Sequence, residues 1–154
     1  MTPGKELRVH PIRDGTVIDH INAGQAMNVL KILGITGSSS AVISVAMNVS
    51  SRDIMFKDIV KIEDRELEDK EVDKISLISP KATINIIRDF GVADKHRVEL
   101  PEMVESMVRC ANPDCISNTN EPVTSKFEVK KDPIRLRCIY CEHMITENIA
   151  EHLI

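Results

Sequence analysis

The sequence predicts an α+β protein in two domains: residues 1–100 as a βαββαβ antiparallel sheet with two helices, and residues 101–154 as a small β-rich domain. Three observations carry this prediction. Apolar residues in the first hundred positions switch between strand and helix periodicity in that order. All four cysteines fall after residue 109. Between the two parts, the charged stretch 96–101 ends on Pro101, which holds the residue before it in an extended conformation.

The elements follow in order. Residues 7–12 and 16–18 read as extended runs separated by the turn signal Arg13-Asp14-Gly15. Ala23, Ala26, Met27, Leu30 and Leu33 then recur at helical spacing, and Gly34 stands where a left-handed C-cap would end the helix. Residues 42–49 and 54–62 are β-rich and flank Ser50-Ser51-Arg52-Asp53, which is the chemistry of a hairpin turn. Acidic residues between Glu63 and Glu71 lead into Val72, Ile75 and Ile78, a second amphipathic helix with a negative first turn that suits its dipole, and Pro80 stops it. Residues 82–88 and 92–98 are the last extended runs of this part. The plan is ferredoxin-like, with both helices on one face and the other face free for a ligand or partner.

In the second part, 127–129 and 134–137 form a predicted hairpin around Lys130-Lys131-Asp132-Pro133, and Thr146 is placed to cap a short helix. Some fifty residues bury too little core to be stable unaided, so a staple is expected. Cys110 and Cys115 enclose four residues, and Cys138 and Cys141 enclose two. Two thiolate turns brought together by a hairpin supply the closed tetrahedral shell of a structural Zn2+ site, as in a zinc ribbon. The competing reading is redox chemistry at Cys138 and Cys141, opposed by the second cysteine pair and by the lack of a βαβ context. His143 and His152 lie nearby, but a complete four-cysteine shell needs neither.

Composition narrows the function. The net charge is −4, aromatics make up 3% and tryptophan is absent. The first hundred residues hold 14 basic and 15 acidic side chains, the remainder 6 and 9. A zinc-ribbon nucleic-acid binder, the main alternative function, would need a basic surplus and stacking rings. Nothing has the length and apolarity of a signal peptide or membrane span, so a cytoplasmic protein without membrane association is expected.

Read as a strand, residues 57–63 put Lys57, Ile59 and Lys61 on one face, with Lys95 on a later strand. Periodicity alone leaves open whether these lysines form a solvated face or converge on a triphosphate. Asp19-His20 could pair a ribose acceptor with an imidazole beside phosphate, or form an ordinary polar loop. No Walker loop, Rossmann fingerprint, nucleophile elbow or zinc-protease motif is present, so no catalytic function is expected.

The blocks Gly15-Thr-Val-Ile-Asp-His-Ile21, Lys57-Asp-Ile-Val-Lys-Ile-Glu63 and Pro80-Lys-Ala-Thr-Ile-Asn85, with the cysteine set, resemble the aspartate carbamoyltransferase regulatory chain over nearly the whole length. The resemblance implies a non-catalytic subunit of pyrimidine biosynthesis. Its first domain would bind CTP, UTP or ATP, and its zinc domain would contact the catalytic chain. It implies a base held near Val9, His10, Pro11 and Ile12, a ribose near Val17, Asp19 and Lys61, and phosphates near His20, Asn85, Val92 and Lys95. Lys57 and Ile87 would line the site. Pro11 on the base-reading edge lacks a backbone N–H donor. The resemblance also implies a homodimer of these chains, three of which bridge two catalytic trimers in a dodecamer.

Overall fold

The computed structural model describes residues 12–35, 37, 40–52 and 55–154. It divides into two compact units, the first ending at Val98 and the second spanning Glu99–Ile154. No helix among the described residues is long and apolar enough to cross a membrane.

The first unit contains β1 (Gly15–Asn22), α1 (Ala26–Ile32), β2 (Ile43–Ser50), β3 (Phe56–Glu63), α2 (Asp69–Ile78), β4 (Thr83–Arg88) and β5 (Gly91–Arg97). Its antiparallel sheet has the strand order β2-β3-β1-β4-β5, which is the ferredoxin-like βαββαβ arrangement extended by one hairpin strand. Ile18 and Ile21 of β1, Val60 and Ile62 of β3 and Ile84 of β4 are buried, as are Ala26 and Val29 of α1 and Ile75 and Leu77 of α2. This apolar set forms the core. Gly15 enters β1 so close to the backbone at Ile62 and Glu63 that a Cβ there would collide with it.

Helix α1 ends as the sequence predicts. Gly34 has φ +69°, its N–H donates to Lys31 O at 3.0 Å, and Ile35 N–H reaches Leu30 O at 2.9 Å, the paired bonds of a Schellman motif. Helix α2 begins with a reciprocal capping box between Glu68 and Glu71. Arg65 ties the two helices together, donating to Leu33 O at 2.8 Å and to Glu71 Oε2 at 2.6 Å.

The start of α1 differs from the helical spacing, which begins at Ala23. Asp58, fully buried on β3, takes the N–H groups of Gly24 and Ala26 on Oδ2 at 3.0 Å each, and that of Asn48 on Oδ1 at 2.8 Å. The side chain thereby fixes the turn before α1 and delays the helix to Ala26.

The second unit is a four-stranded antiparallel sheet, β6 (Met103–Glu105), β7 (Lys126–Lys130), β8 (Arg135–Cys138) and β9 (Met144–Ile145), in the order β6-β7-β8-β9. Phe127, fully buried, lies opposite both Val104 and Cys138. Leu136 lies opposite Val129 and Ile145. These apolar pairs and Val108 are the small core. The helix expected from Thr146 does not form. Residues 144–145 join the sheet instead, Asn148 adopts a left-handed conformation, and only a 3-10 turn at Ile149–His152 follows.

Candidate functional site

Two constellations emerge, one in each unit. On the first sheet, burial alternates along β3: Asp58, Val60 and Ile62 face the core, and Lys57, Ile59 and Lys61 the opposite side. Directly opposed residues in a sheet share a face. Lys61 opposes Val17, Val17 opposes Asn85, and Asn85 opposes Lys95, so these four form one row across β3, β1, β4 and β5. On one side of this row Gly15, Ile87 and Val92 make the next rung, and on the other Asp19, Thr83 and Arg97 make another. At ordinary strand spacing the α-carbons of Lys61 and Lys95 are about 14 Å apart, within joint reach of two long side chains.

Bulges complete the face. In β1 the register shifts between Ile18 and Ile21, with His20 at φ +57°. Asp19 and His20 therefore act together although they are sequence neighbours. Lys57 Nζ is 2.9 Å from Asp19 Oδ1, the His20 N–H donates to that same oxygen at 2.6 Å, and His20 Nδ1 lies 3.1 Å from Thr83 Oγ1. The register also shifts between Ile86 and Ile87 against β5, which returns Val92 to the face that carries Lys95. The Asn85 amide donates to Val17 O at 3.2 Å.

The structure thus brings Val17, Asp19, His20, Lys57, Lys61, Asn85, Ile87, Val92 and Lys95 together. Ile12 is buried at the entry to β1, and Val9, His10 and Pro11 lie outside the described residues. Thr83 and Arg97 belong to the same face but escape the sequence reading; the two-residue strand period from Asn85 and Lys95 identifies both. Phe90 is a further addition. It stands exposed at the tip of the β4–β5 hairpin with φ +65°, and its N–H is held by Arg13 O at 2.9 Å.

In the second unit the four sulfur atoms lie within 4.8 Å of one another, and none is in a disulfide. Cys110 and Cys141 are 3.6 Å apart, as are Cys115 and Cys138. A tetrahedron with zinc–sulfur bonds of about 2.3 Å has edges of about 3.8 Å, so the donor set fits that ion. The two turns are braced from within. Asn118 donates to the carbonyls of Cys110 (2.9 Å) and Asn112 (2.7 Å), while Cys138 accepts from Glu142 N–H and donates its own N–H to His143 O, both at 2.9 Å.

The thiols are arranged for a cation. Burial pushes Cys110 and Cys138 up, against backbone N–H groups that pull the other way. Burial acts likewise on Cys141, but the His143 N–H, the Asn112 side chain and the neighbouring thiols outweigh it and hold it at about 7. Four adjacent thiolates repel one another, and a divalent ion at their centre removes that repulsion. All four shell positions are then filled by protein, so the metal is structural and leaves no place for a reacting water. His143 is exposed and lies outside the cluster.

Comparison with known proteins matches a family domain to each unit. Residues 7–99 match the family model described as the allosteric domain of the aspartate carbamoyltransferase regulatory chain, and residues 102–151 match that for its metal binding domain. The chain is 62% identical to the aspartate carbamoyltransferase regulatory chain of Methanothrix thermoacetophila, over 97% of this chain and 98% of the relative. It is 60% identical to that of Methanocella arvoryzae over the full length of both, and 56% identical to that of Thermofilum pendens over 96% and 95%. Two matched domains in sequence order, a cysteine cluster in the second and full-length relatives lead to one conclusion: the chain belongs to the aspartate carbamoyltransferase regulatory chains, which are non-catalytic subunits.

Proposed function

We propose that this chain is a cytoplasmic allosteric sensor of pyrimidine biosynthesis, binding CTP, UTP or ATP on the free sheet face of residues 1–100. The domain of residues 101–154, closed by one Zn2+, docks on the catalytic chain. The row Lys61–Val17–Asn85–Lys95 carries the reading: it sets two ammonium groups on either side of a hydrogen-bonding amide, with Lys57, His20 and Arg97 alongside. That is a cationic face suited to a triphosphate, with Asp19 as an acceptor for ribose hydroxyls.

Dimerisation has support in the same unit. Edge strand β2 exposes Val45 and Met47, and Met27 of α1 is also exposed, an apolar border of the kind a second copy covers. Edge strand β5 instead carries Asp94, Lys95, His96 and Arg97, which discourage pairing. Three such dimers bridging two catalytic trimers make the proposed dodecamer. Effectors then act by binding the two assembly states unequally, for which a coupling of about 1–3 kcal/mol suffices.

Calorimetric titration of CTP and ATP into the zinc-loaded chain tests the sensor. Lys61→Ala and Lys95→Ala should each weaken binding about 10- to 100-fold, the size of a lost charged hydrogen bond. In the enzyme reconstituted with catalytic trimers, both nucleotides should move the aspartate saturation curve. Unmoved curves, or variants that bind as the parent does, refute the reading.

A further inference from the structure

The four cysteines of the second unit differ in their access to solvent. Cys110, Cys115 and Cys138 are each at most 4% exposed, whereas Cys141 is partly exposed. The local backbone explains the difference. Cys138 lies in β8 directly across from Phe127, and Cys115 shares a hydrogen bond with the Ser117 hydroxyl at 3.1 Å. Cys141 follows the strand in a turn. Tyr140 before it is exposed, and Glu142 after it is exposed and left-handed at φ +64°, so the turn carries Cys141 toward solvent.

The sulfur atoms are also paired from one turn to the other. Cys141 Sγ lies 3.6 Å from Cys110 Sγ, and Cys115 Sγ lies 3.6 Å from Cys138 Sγ. Cys138 is anchored in place, its N–H on His143 O and its carbonyl accepting from Glu142 N–H, both at 2.9 Å. Cys110 lies outside the strands. A disulfide holds its sulfurs about 2.05 Å apart, so the pair must close by about 1.5 Å. Cys110 can make that approach to Cys141 without pulling on β8.

We propose that Cys141 is a site of oxidative modification, at which a peroxide opens the metal shell by closing a disulfide to Cys110. This rests on the reading of the metal as Zn2+. A thiol that ligates such an ion is already a thiolate, which is the nucleophilic form, and partly exposed thiolates react where buried ones are inert. The Cys141 thiolate attacks one oxygen of hydrogen peroxide: the S–O bond forms, the O–O bond breaks, and the hydroxide released takes a proton from solvent to become water. The Cys110 thiolate then attacks the Cys141 sulfur: the S–S bond forms, the S–O bond breaks, and a second hydroxide leaves and is protonated. Two electrons pass from the two sulfurs to one peroxide molecule, which ends as two waters. Only Cys115 and Cys138 then remain as thiolate donors, too few for a closed tetrahedral shell, and the ion is released.

The test adds hydrogen peroxide to the full zinc-loaded chain while a colorimetric chelator reads Zn2+ release and dimedone traps the first sulfenic acid for mass spectrometry. Dimedone should be found on Cys141, and without dimedone a Cys110–Cys141 peptide pair should form in step with Zn2+ release. First trapping at Cys110, Cys115 or Cys138, or a first disulfide between Cys138 and Cys141, overturns the proposal. So does oxidation confined to exposed methionines such as Met55, with Zn2+ retained. The variant Cys141→His keeps four donors of zinc-binding chemistry and should release the ion about tenfold more slowly. Release at the parental rate from a fully loaded variant overturns the proposal; if the variant does not load, the order of trapping in the parent decides. A parent chain that carries no Zn2+ refutes the metal reading alone, and the order of trapping in the reduced chain then decides the site.

Discussion

The two units reach stability by different routes. The first packs two helices against five strands, and its core is built from aliphatic side chains on both layers. The second has four short strands, no α-helix among its described residues, and a core in which buried cysteines stand beside Phe127, Leu136 and Val104. The buried core of the first unit includes none of the four cysteines. In the second, Cys138 lies directly across the sheet from Phe127, so the metal shell and the hydrophobic core are one structure. Under the proposed function this division suits a regulator: one part would keep its fold while a ligand comes and goes, and the other would be fixed in shape for docking.

Metal removal tests this contrast most severely. Apparent zinc affinities of structural sites amount to about 10–16 kcal/mol, comparable with or above the whole stability of a small domain. Chelation should unfold the second unit and abolish assembly with catalytic chains, while the first stays folded. Hydrogen exchange measured residue by residue reads both outcomes: protection of Phe127 and Leu136 should vanish, and that of Ile18 and Val60 should persist. Retained protection in the second unit would erase the distinction.

The reciprocal experiment breaks the first unit and spares the second. Replacing Asp58 by Ala leaves three N–H groups, from Gly24, Ala26 and Asn48, without their carboxylate. Buried donors left unsatisfied cost about 1–3 kcal/mol each, and some will recruit water, so a loss of about 3–5 kcal/mol is expected. Urea unfolding followed at the first unit should register that loss, with metal content unchanged. A loss below 1 kcal/mol would mean that Asp58 does not organise the start of α1.

These experiments divide along the line of what the sequence makes legible. Thiolate pairs are short-range patterns whose chemistry admits few interpretations, so the metal centre is readable from Cys110, Cys115, Cys138 and Cys141 alone. The helical spacing of α1 and its stop at Gly34 are local in the same way. Bulges are not. Strict alternation puts Asp19 and His20 on opposite faces, and Val92 opposite Lys95, whereas the register shifts in β1 and against β5 bring each pair to one side. Such shifts depend on partner strands far away in sequence. Asp58 likewise reads as a polar intrusion on the core face of β3, because its three donors lie 10 to 34 positions away. The failed helix after Thr146 has the same origin, since residues 144–145 are claimed by β8.

The smallest expected effect lies on the surface of the second unit. Glu128 Oε2 accepts from Arg137 at 2.8 Å and Oε1 from Lys130 at 2.7 Å, and Arg137 also reaches Glu142 at 3.0 Å. Hydrogen bonds from Lys130 and then Arg137 hold the Glu128 carboxyl below its usual range. A depressed carboxylate contributes stability that is complete above the unfolded value, about 4.3, and is lost as pH falls through the lower folded value. Acid also protonates the zinc thiolates, so ionic strength is the cleaner variable at neutral pH. Glu128→Gln should lower the melting temperature of the zinc-loaded chain slightly in dilute buffer, and the difference should shrink in about 1 M salt, where the screening length is about 3 Å. A difference that persists at high salt would mean that Glu128 acts through packing, and that the second unit depends less completely on its metal than the contrast with the first requires.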